Sequence, residues 1–351
     1  MKEVYYIHEL PERAGITAPL TLSGRPFEPG KKARVHILAL GDVGTTMLIG
    51  LRLLGAEDIA SIGICDLNGN NLSRLEIEIN QIRYPFAAQG DGPVLPPVHI
   101  VTEEQLFDCD VFIFCASKGV PPLSATGDVR MAQLEANKGL IGHFAGLARS
   151  AGYKGLVCIV SDPVDPLCAA FLDASGIRPW QIRGYGLGVM NARACYYAEK
   201  DGRLAHYLTE GRAFGPHGED LVIADRIEGY DDTLSRELTK KVVEANHVVR
   251  NLGYKPYIAP ALSSAALSIL LTLRGCWHYG SVYLGDKDRG AFLGVRSRYS
   301  EEGLLYEDRP LPRALYDRIE YAYLRLCALR RDVPCCMLLK WAGRSRAIRN
   351  G

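Results

Sequence analysis

Five apolar runs rich in β-branched residues, separated by helix-like segments, constrain the fold of this chain most strongly. The runs are ARVHILAL, ASIGICDL, VHIV, CDVFIFCA and GLVCIVSD, all between residues 33 and 162. Segments with helical periodicity, such as TTMLIGLRLLG and VRMAQLEANKGLIGHFAGLARS, lie between them. Strands that are apolar on both faces and alternate with helices are typical of a parallel sheet covered on both sides. The sequence therefore predicts a doubly wound parallel α/β sheet.

The pattern changes beyond about residue 190. Helical stretches near 191–200, 233–252 and 260–274 enclose the short strand-like pieces SVYLG and AFLGV, and a last long helix is predicted over 311–330. We therefore expect four parts, which are an N-terminal arm (1–32), a nucleotide-binding domain (33–180), an α+β lobe (181–330) and a basic tail (331–351).

Composition excludes several classes of partner. The 41 basic and 40 acidic residues leave no net field that would attract nucleic acid or an acidic membrane. No apolar run reaches the roughly 20 residues that cross a bilayer, and the start has no signal-peptide core. The ten cysteines lie mostly in apolar runs and never as CxxC, which indicates reduced thiols and no metal site. We expect a cytoplasmic protein with a small-molecule partner.

The first strand runs directly into LALGDVGTT, which has the form of a dinucleotide-binding turn. Gly41 would let the backbone approach a pyrophosphate, and Gly44 would let the helix pack closely on the strand. Ala39 takes the place of a first glycine and is expected to serve there if its φ stays negative. Asp66 ends the second strand at the spacing of an acid that binds a ribose. Leu67 and Asn68 follow with no arginine nearby, so NAD is favoured over NADP. A structural turn without a ligand is the alternative.

Further stretches, in this order and spacing, resemble the lactate/malate dehydrogenase family. They are DVFIFCASKG, VRMAQLEAN, VCIVSDPVDPLCAAFL, VMNARACYY, AFGPHGED, PALSSAALSILLTLRG and AFLGVRSRYSEEGL. The likeness covers about residues 33 to 330. It implies a Rossmann-type domain followed by an α+β catalytic lobe, NAD as the cofactor, a 2-hydroxy or 2-oxo acid substrate, and a homodimer or homotetramer.

The resemblance also implies roles for individual residues. Arg193 corresponds to the arginine that binds the substrate carboxylate, His217 to the proton donor and acceptor, and Arg130 to the mobile-loop arginine that polarises the reacting carbonyl. The implied cofactor-binding positions are Gly41, Asp42, Val43, Gly44, Asp66, Ala116 and Asn137. Apart from the resemblance, His217 could be a turn or core histidine, Arg193 a surface partner of Glu199, and Arg130 a solvated charge.

The chain departs from the family at three places. Met190 stands where the family has the aspartate that hydrogen-bonds the catalytic histidine, and a thioether cannot stabilise an imidazolium. Asp162 stands where the family has an asparagine; it could repel a carboxylate substrate or pair with His217, and we favour the pair. The loop SKGVPPLSATGDVR is longer than usual, so either Lys118 or Ser124 could occupy the position that selects the substrate.

Two functions from different classes follow. The first is an NAD-dependent 2-hydroxyacid dehydrogenase in which Asp162 and His217 act in place of the usual acid–base pair. The second is a catalytically silent NAD-binding relative with a regulatory or assembly role. A metal-dependent, NAD-using glycosidase of the same fold is a third reading, but the stretch GYGLGVMNAR lacks the Cys-His pair that such a site needs.

Overall fold

The computed structural model of the chain describes residues 4–28, 30–118 and 129–331, without the side chains of 129–133 and 331. Over these residues the strands are β1 (Val4–Tyr5), β2 (Ala33–Leu38), β3 (Ile59–Cys65), β4 (Val98–Ile100), β5 (Val111–Phe114), β6 (Leu156–Ile159), β7 (Ile182–Gly184), β8 (Arg212–Phe214), β9 (Val222–Ala224), β10 (His278–Gly285), β11 (Gly290–Ser300), β12 (Gly303–Tyr306) and β13 (Leu311–Pro312). The α-helices are α1 (Leu10–Arg13), α2 (Asp42–Leu54), α3 (Gly69–Gln81), α4 (Val129–Ser150), α5 (Val164–Ser175), α6 (Leu187–Ala198), α7 (Tyr207–Glu210), α8 (Asp232–Asn251), α9 (Leu267–Leu273) and α10 (Arg313–Arg331).

Six parallel strands form one side of a nine-stranded sheet, from the edge strand β4 to β7. Their spatial order is β4-β3-β2-β5-β6-β7, with every neighbouring pair parallel. All residues of β5 and β6 are buried, because helices cover both faces of the sheet. This is the strand order of a doubly wound dinucleotide-binding fold, so the predicted α/β class with a Rossmann-type sheet is confirmed.

Three antiparallel strands extend the same sheet. β10 pairs with β7 through Ser281 and Gly184, and then with β11 over eight residue pairs, from His278 and Ser297 to Gly285 and Gly290. β12 follows at the edge. The sixth parallel strand, β7, begins after the expected domain boundary at residue 180 and carries the sheet into the region predicted to be a separate lobe.

The predicted helices of the second region are present, with one change of geometry. The stretch expected to be helical over 260–274 begins as a π-helical segment at Pro260–Ala266 and continues as α9. Gly50 of α2 packs against this segment, and a Cβ at Gly50 would lie 2.9 Å from Ala266 Cβ. The absence of a side chain at Gly50 therefore allows the close approach of α2 and the π-helical segment.

The N-terminal arm crosses the antiparallel part of the sheet. β1 pairs with β13, and the Tyr5 ring stacks on Tyr316 of α10 with the ring centroids 4.8 Å apart. Farther along the arm, the Leu20 amide donates to the Gly285 carbonyl, and Leu22 accepts from the Leu304 amide at 2.9 Å. The arm therefore stabilises the edge built by β10 to β12.

Candidate active site

A histidine and an aspartate from different parts of the chain meet beyond the carboxyl end of β6. Asp162 follows β6, and His217 lies in the loop between β8 and β9. His217 Nε2 is 2.6 Å from Asp162 Oδ1, and the side chains are 19% and 51% exposed, respectively. Ligands of doubly wound sheets bind at this end of the strands. The pair is a site at which a proton can be held or moved.

The other ring nitrogen of His217 faces the backbone at the start of α6. A Cβ at Gly186 would lie 2.5 Å from His217 Nδ1, so only glycine leaves room for the ring. Met190 lies one helical turn beyond Gly186 and is 4% exposed. The carboxylate partner of His217 therefore approaches Nε2, on the opposite side of the ring from Gly186.

Arg193 of α6 is a half-buried cation beside this pair. Its guanidinium donates to Asn246 Oδ1, and Nη1 lies 3.7 Å from Met190 Sδ. No carboxylate lies within ion-pair distance of it in the part of the chain that the structure describes. Burial lowers the pKa of Arg193, while Tyr197 and Asp162 raise it, so the Asp162 carboxylate lies within electrostatic range. This environment suits an anionic ligand group.

A second carboxyl group lies beneath the pair. Asp165, in the first turn of α5, is buried and accepts a hydrogen bond from the Ser281 hydroxyl of β10. Burial raises the pKa of Asp165 to about 6; the Ser281 hydrogen bond and His217 lower it, and Asp162 raises it. The charges of Asp162 and His217 therefore both act on the protonation of Asp165.

The turn between β2 and α2 has the geometry of a phosphate-binding turn. A Cβ at Gly41 would meet no atom within 4 Å, whereas a Cβ at Gly44 would lie 2.1 Å from the Ala39 carbonyl oxygen. Gly41 thus faces open space at the N-terminus of α2, where unpaired N–H groups favour an anion. The condition set for Ala39, a negative φ, is not met, because its φ is +73°. That conformation costs a residue with a Cβ about 1–2 kcal/mol, and the turn keeps the shape that a first glycine would give it.

Hydrogen bonds to the Asp66 carboxylate link this turn to the end of β3. The Asp66 carboxylate accepts from the Leu40 amide at 2.6 Å and from the Asn68 amide at 2.9 Å. Leu67, which follows it, is fully exposed. Asp42 in the turn forms an exposed ion pair with Lys255, with Nζ and Oδ2 3.1 Å apart. Val43 is partly buried in the same turn.

The remaining predicted residues have different environments. Asn137 is buried, accepts from the Lys118 amide and donates to the Asp162 carbonyl, both at 3.0 Å, so it braces the start of the loop against Asp162. The Ala116 carbonyl accepts from the Ser161 hydroxyl at 2.8 Å. Arg130 is the second residue of α4, but its side chain lies outside the described residues. Ser124 lies outside them altogether.

Solved dehydrogenases share this architecture. The minor L-lactate dehydrogenase of Enterococcus mundtii aligns with a TM-score of 0.70 at 19% identity, covering 86% of this chain and 98% of that chain. The malate dehydrogenase of Aeropyrum pernix aligns with a TM-score of 0.69 at 18% identity, with the same two coverages of 86% and 98%. At these identities the likeness establishes the fold.

Curated relatives connect the sequence itself to the same enzymes. The L-lactate dehydrogenase of Mycoplasma pneumoniae is 25% identical over 235 residues, which span 64% of this chain and 70% of that protein. The L-lactate dehydrogenase of Treponema denticola is 29% identical over 189 residues, which span 54% of this chain and 56% of that protein. In sequence and in fold, the chain is similar to the lactate and malate dehydrogenases. No protein-family model matches it.

Two residues near the candidate site, Asn246 and Asp165, were not predicted from the sequence. Asn246 meets Arg193 across 53 positions of sequence, and no local pattern in α8 indicates that contact. Asp165 lies in the stretch SDPVDPLCAAFL, where an acid beside apolar helix positions is a signal of a buried carboxyl group. Both depend on how α5, α6 and α8 converge.

Other features of the chain bear on what it can bind. Among residues 4–28, 30–118 and 129–331, no cluster of three or more His, Cys, Asp or Glu side chains could hold a metal ion. Within the same ranges no helix is both long and apolar enough to span a membrane. The eight cysteines there form no disulfide.

Proposed function

We propose that this chain is an NAD-dependent oxidoreductase that interconverts a 2-hydroxy acid and a 2-oxo acid, as its lactate and malate dehydrogenase relatives are named to do. One observation carries the proposal: Arg193, a half-buried cation with no described carboxylate at ion-pair distance, lies beside the His217–Asp162 pair. A substrate carboxylate would supply the missing counter-charge, and the pair would exchange the proton.

The β2–α2 turn fits the dinucleotide. Gly41 leaves its approach open, α2 offers its N-terminus to the pyrophosphate, and Asp66 ends β3 where a ribose hydroxyl would lie. The exposed Leu67 would cover the adenine face. The nicotinamide would supply or accept the hydride at C2 of the substrate.

Each charged residue then has one task. Arg193 binds and orients the substrate carboxylate, and Arg130 polarises the carbonyl oxygen. His217 delivers the proton to that oxygen in reduction and takes it back in oxidation. Asp162 supplies the negative charge that stabilises protonated His217, a role for which Met190 has no suitable group.

The second candidate is the catalytically silent NAD-binding relative. The observation that favours it is Met190, a buried thioether one turn beyond Gly186, whose sulfur lies 3.7 Å from Arg193 Nη1 and cannot act as the anionic partner of a histidine. We propose further that the protein acts in the cytoplasm as a homodimer or homotetramer.

The deciding experiment is NADH oxidation by the purified protein with pyruvate, oxaloacetate and other 2-oxo acids between mildly acidic and neutral pH. We expect turnover of at least one acid, and its loss by at least about 100-fold in His217→Ala. His247→Ala, which changes an exposed histidine on α8, is the matched control. Binding of NADH without turnover of any acid would reject the dehydrogenase and favour the silent relative.

A further inference from the structure

The carboxylate of the acid–base pair lies on the Nε2 side of the histidine ring. Asp162 contacts His217 Nε2, while Nδ1 faces Gly186. About half of the Asp162 side chain is exposed, against a fifth of the His217 side chain. A ligand that approaches Nε2 therefore meets the Asp162 carboxylate as well as the ring.

This placement suits a carbonyl substrate poorly. Reduction of a 2-oxo acid builds negative charge on the C2 oxygen, and a carboxylate beside that oxygen opposes the charge. The oxygen must also compete with Asp162 for the proton on Nε2. Neither difficulty arises for a substrate in which the atom bonded to C2 is already protonated and positively charged.

A 2-iminium acid has that property. It carries the same carboxylate for Arg193, and its C2 is doubly bonded to a protonated nitrogen. A carboxylate attracts an N–H group of an iminium ion, with a charge-assisted hydrogen bond that is stronger than a neutral one. The reaction needs no acid before hydride transfer, so it does not require a carboxylate at the position that Met190 occupies in α6.

We propose that the same site also reduces 2-imino acids, in particular cyclic ones that persist in water, and that Asp162 binds the iminium N–H. The inference rests on the proposed function, because it uses the same cofactor and the same role for Arg193. His217 then donates from Nε2 to Asp162 Oδ1 and positions the carboxylate toward the substrate.

The step balances without another reactant. A hydride from the reduced cofactor forms the C2–H bond, and the electron pair of the C=N π bond moves to nitrogen. The product is a 2-amino acid, whose nitrogen then takes a proton from solvent. The imine is reduced by two electrons, and the cofactor is oxidised by two.

The two roles of Asp162 predict different kinetics. An iminium ion carries its charge in the ground state, so loss of its anionic partner weakens binding and raises KM. A residue that only supports the proton donor acts mainly in the transition state and changes kcat. The change in KM relative to the change in kcat therefore distinguishes the two roles of Asp162.

The test compares Δ1-piperideine-2-carboxylate and Δ1-pyrroline-2-carboxylate with pyruvate and oxaloacetate, using NADH and the full chain. We expect Asp162→Asn to raise KM for the cyclic imines about 10- to 100-fold, and KM for the 2-oxo acids by less than about threefold. Glu199→Gln removes an exposed negative charge at the end of α6 and should change neither constant.

A binding measurement gives a second readout. Calorimetric titration with pipecolate, the amine product, should show a dissociation constant raised by a similar factor in Asp162→Asn, with Asp162→Ser as a second variant. Turnover of 2-oxo acids alone, or equal KM changes for both classes, would overturn the inference and leave the proposed function standing. Turnover of cyclic imines alone would support the inference and overturn the 2-oxo acid assignment. Turnover of neither class would overturn both.

Discussion

Exchanging the Asp162 carboxylate for an amide removes the negative charge that lies 2.6 Å from His217 Nε2. Because that charge stabilises the imidazolium, we expect Asp162→Asn to lower kcat for a 2-oxo acid about 10- to 100-fold with little change in KM. Steady-state kinetics of the purified variant measure both constants. An unchanged kcat would exclude Asp162 as the partner of the proton donor.

Met190 provides the complementary change at the residue scale. A carboxylate at this buried position, one turn from Gly186, would approach His217 from the Nδ1 side. We expect Met190→Asp to raise kcat, and to raise by about one unit or more the pKa above which the rate of 2-oxo acid reduction falls. Met190→Leu keeps the apolar volume and serves as the control. If the rate does not rise, the pocket no longer uses the family's arrangement of acid and histidine.

Met190 lies 3.7 Å from Arg193 Nη1, so an aspartate there has a second available partner. Capture of the new carboxylate by Arg193 would raise KM for the substrate acid without shifting the pH–rate profile. KM and the pKa of the pH–rate profile, measured together, therefore show whether the new carboxylate pairs with Arg193 or with His217.

At the scale of the element, the β2–α2 turn separates folding from cofactor binding. A Cβ at Gly41 meets no protein atom, whereas one at Gly44 would clash with the Ala39 carbonyl oxygen. We expect Gly41→Ala to keep the Tm of the wild type but raise the Kd for NADH at least about tenfold, because the backbone can no longer approach the pyrophosphate. Gly44→Ala should lower stability by about 1–3 kcal/mol.

Thermal unfolding and NADH titration of the two variants provide the measurement, and each variant is the other's control. An unchanged NADH affinity in Gly41→Ala would show that the dinucleotide does not approach this turn. Normal stability in Gly44→Ala would show that α2 can move away from β2 without cost.

The elements also show what patterning can predict. The runs beginning at Ala33, Ile59 and Val111 became parallel strands because continuous apolar, β-branched sequence is stable where both faces are covered. The left-handed conformation of Ala39 could not be predicted in the same way. Local propensity disfavours a positive φ at alanine, and the turn also brings Gly44 so close to the Ala39 carbonyl oxygen that a Cβ there would lie 2.1 Å from it.

At the scale of the whole molecule, a buried histidine makes stability depend on pH. Burial, and then the Arg183 cation, lower the pKa of His278 to about 3 from an ordinary value of 6.5. Its Nδ1 lies 3.0 Å from the Cys276 carbonyl oxygen and its Nε2 lies 2.9 Å from the Thr272 hydroxyl, as suits a neutral ring. The folded state therefore excludes a proton that the unfolded chain binds.

Because the folded-state pKa is depressed, the contribution of His278 is fully present above pH 6.5 and is lost as pH falls toward 3. We expect the free energy of unfolding to fall by up to roughly 1.4 kcal/mol per pH unit in that window. Urea unfolding of His278→Gln should show a weaker decline, whereas the exposed His247→Gln should retain the wild-type slope. If the free energy of unfolding declined equally with falling pH in the wild type and both variants, His278 would not be the cause of the pH dependence.

Assembly is the other property of the whole molecule. α2 packs on the π-helical segment and α9, and exposed apolar side chains lie on these neighbouring elements, namely Leu53, Leu54, Ile258 and Leu267. Exposed apolar clusters mark interfaces between subunits. We expect light scattering to give at least twice the 38.6 kDa chain mass, and a lower mass in the double variant Leu53→Glu/Leu267→Glu. Val94→Glu changes an exposed apolar residue elsewhere and should leave the mass unchanged.

The amino-acid sequence by itself determined the parallel sheet, the glycine turn and the identity of the charged residues near the site. These follow from local periodicity and from the side-chain chemistry of a few positions. Only the tertiary structure decided that Asp162 meets His217 at Nε2, that Asn246 binds Arg193 and that Asp165 is buried beneath them. Those contacts join residues 53 or more positions apart, and their geometry depends on how the helices pack around the ends of β6 and β7, which no local pattern specifies.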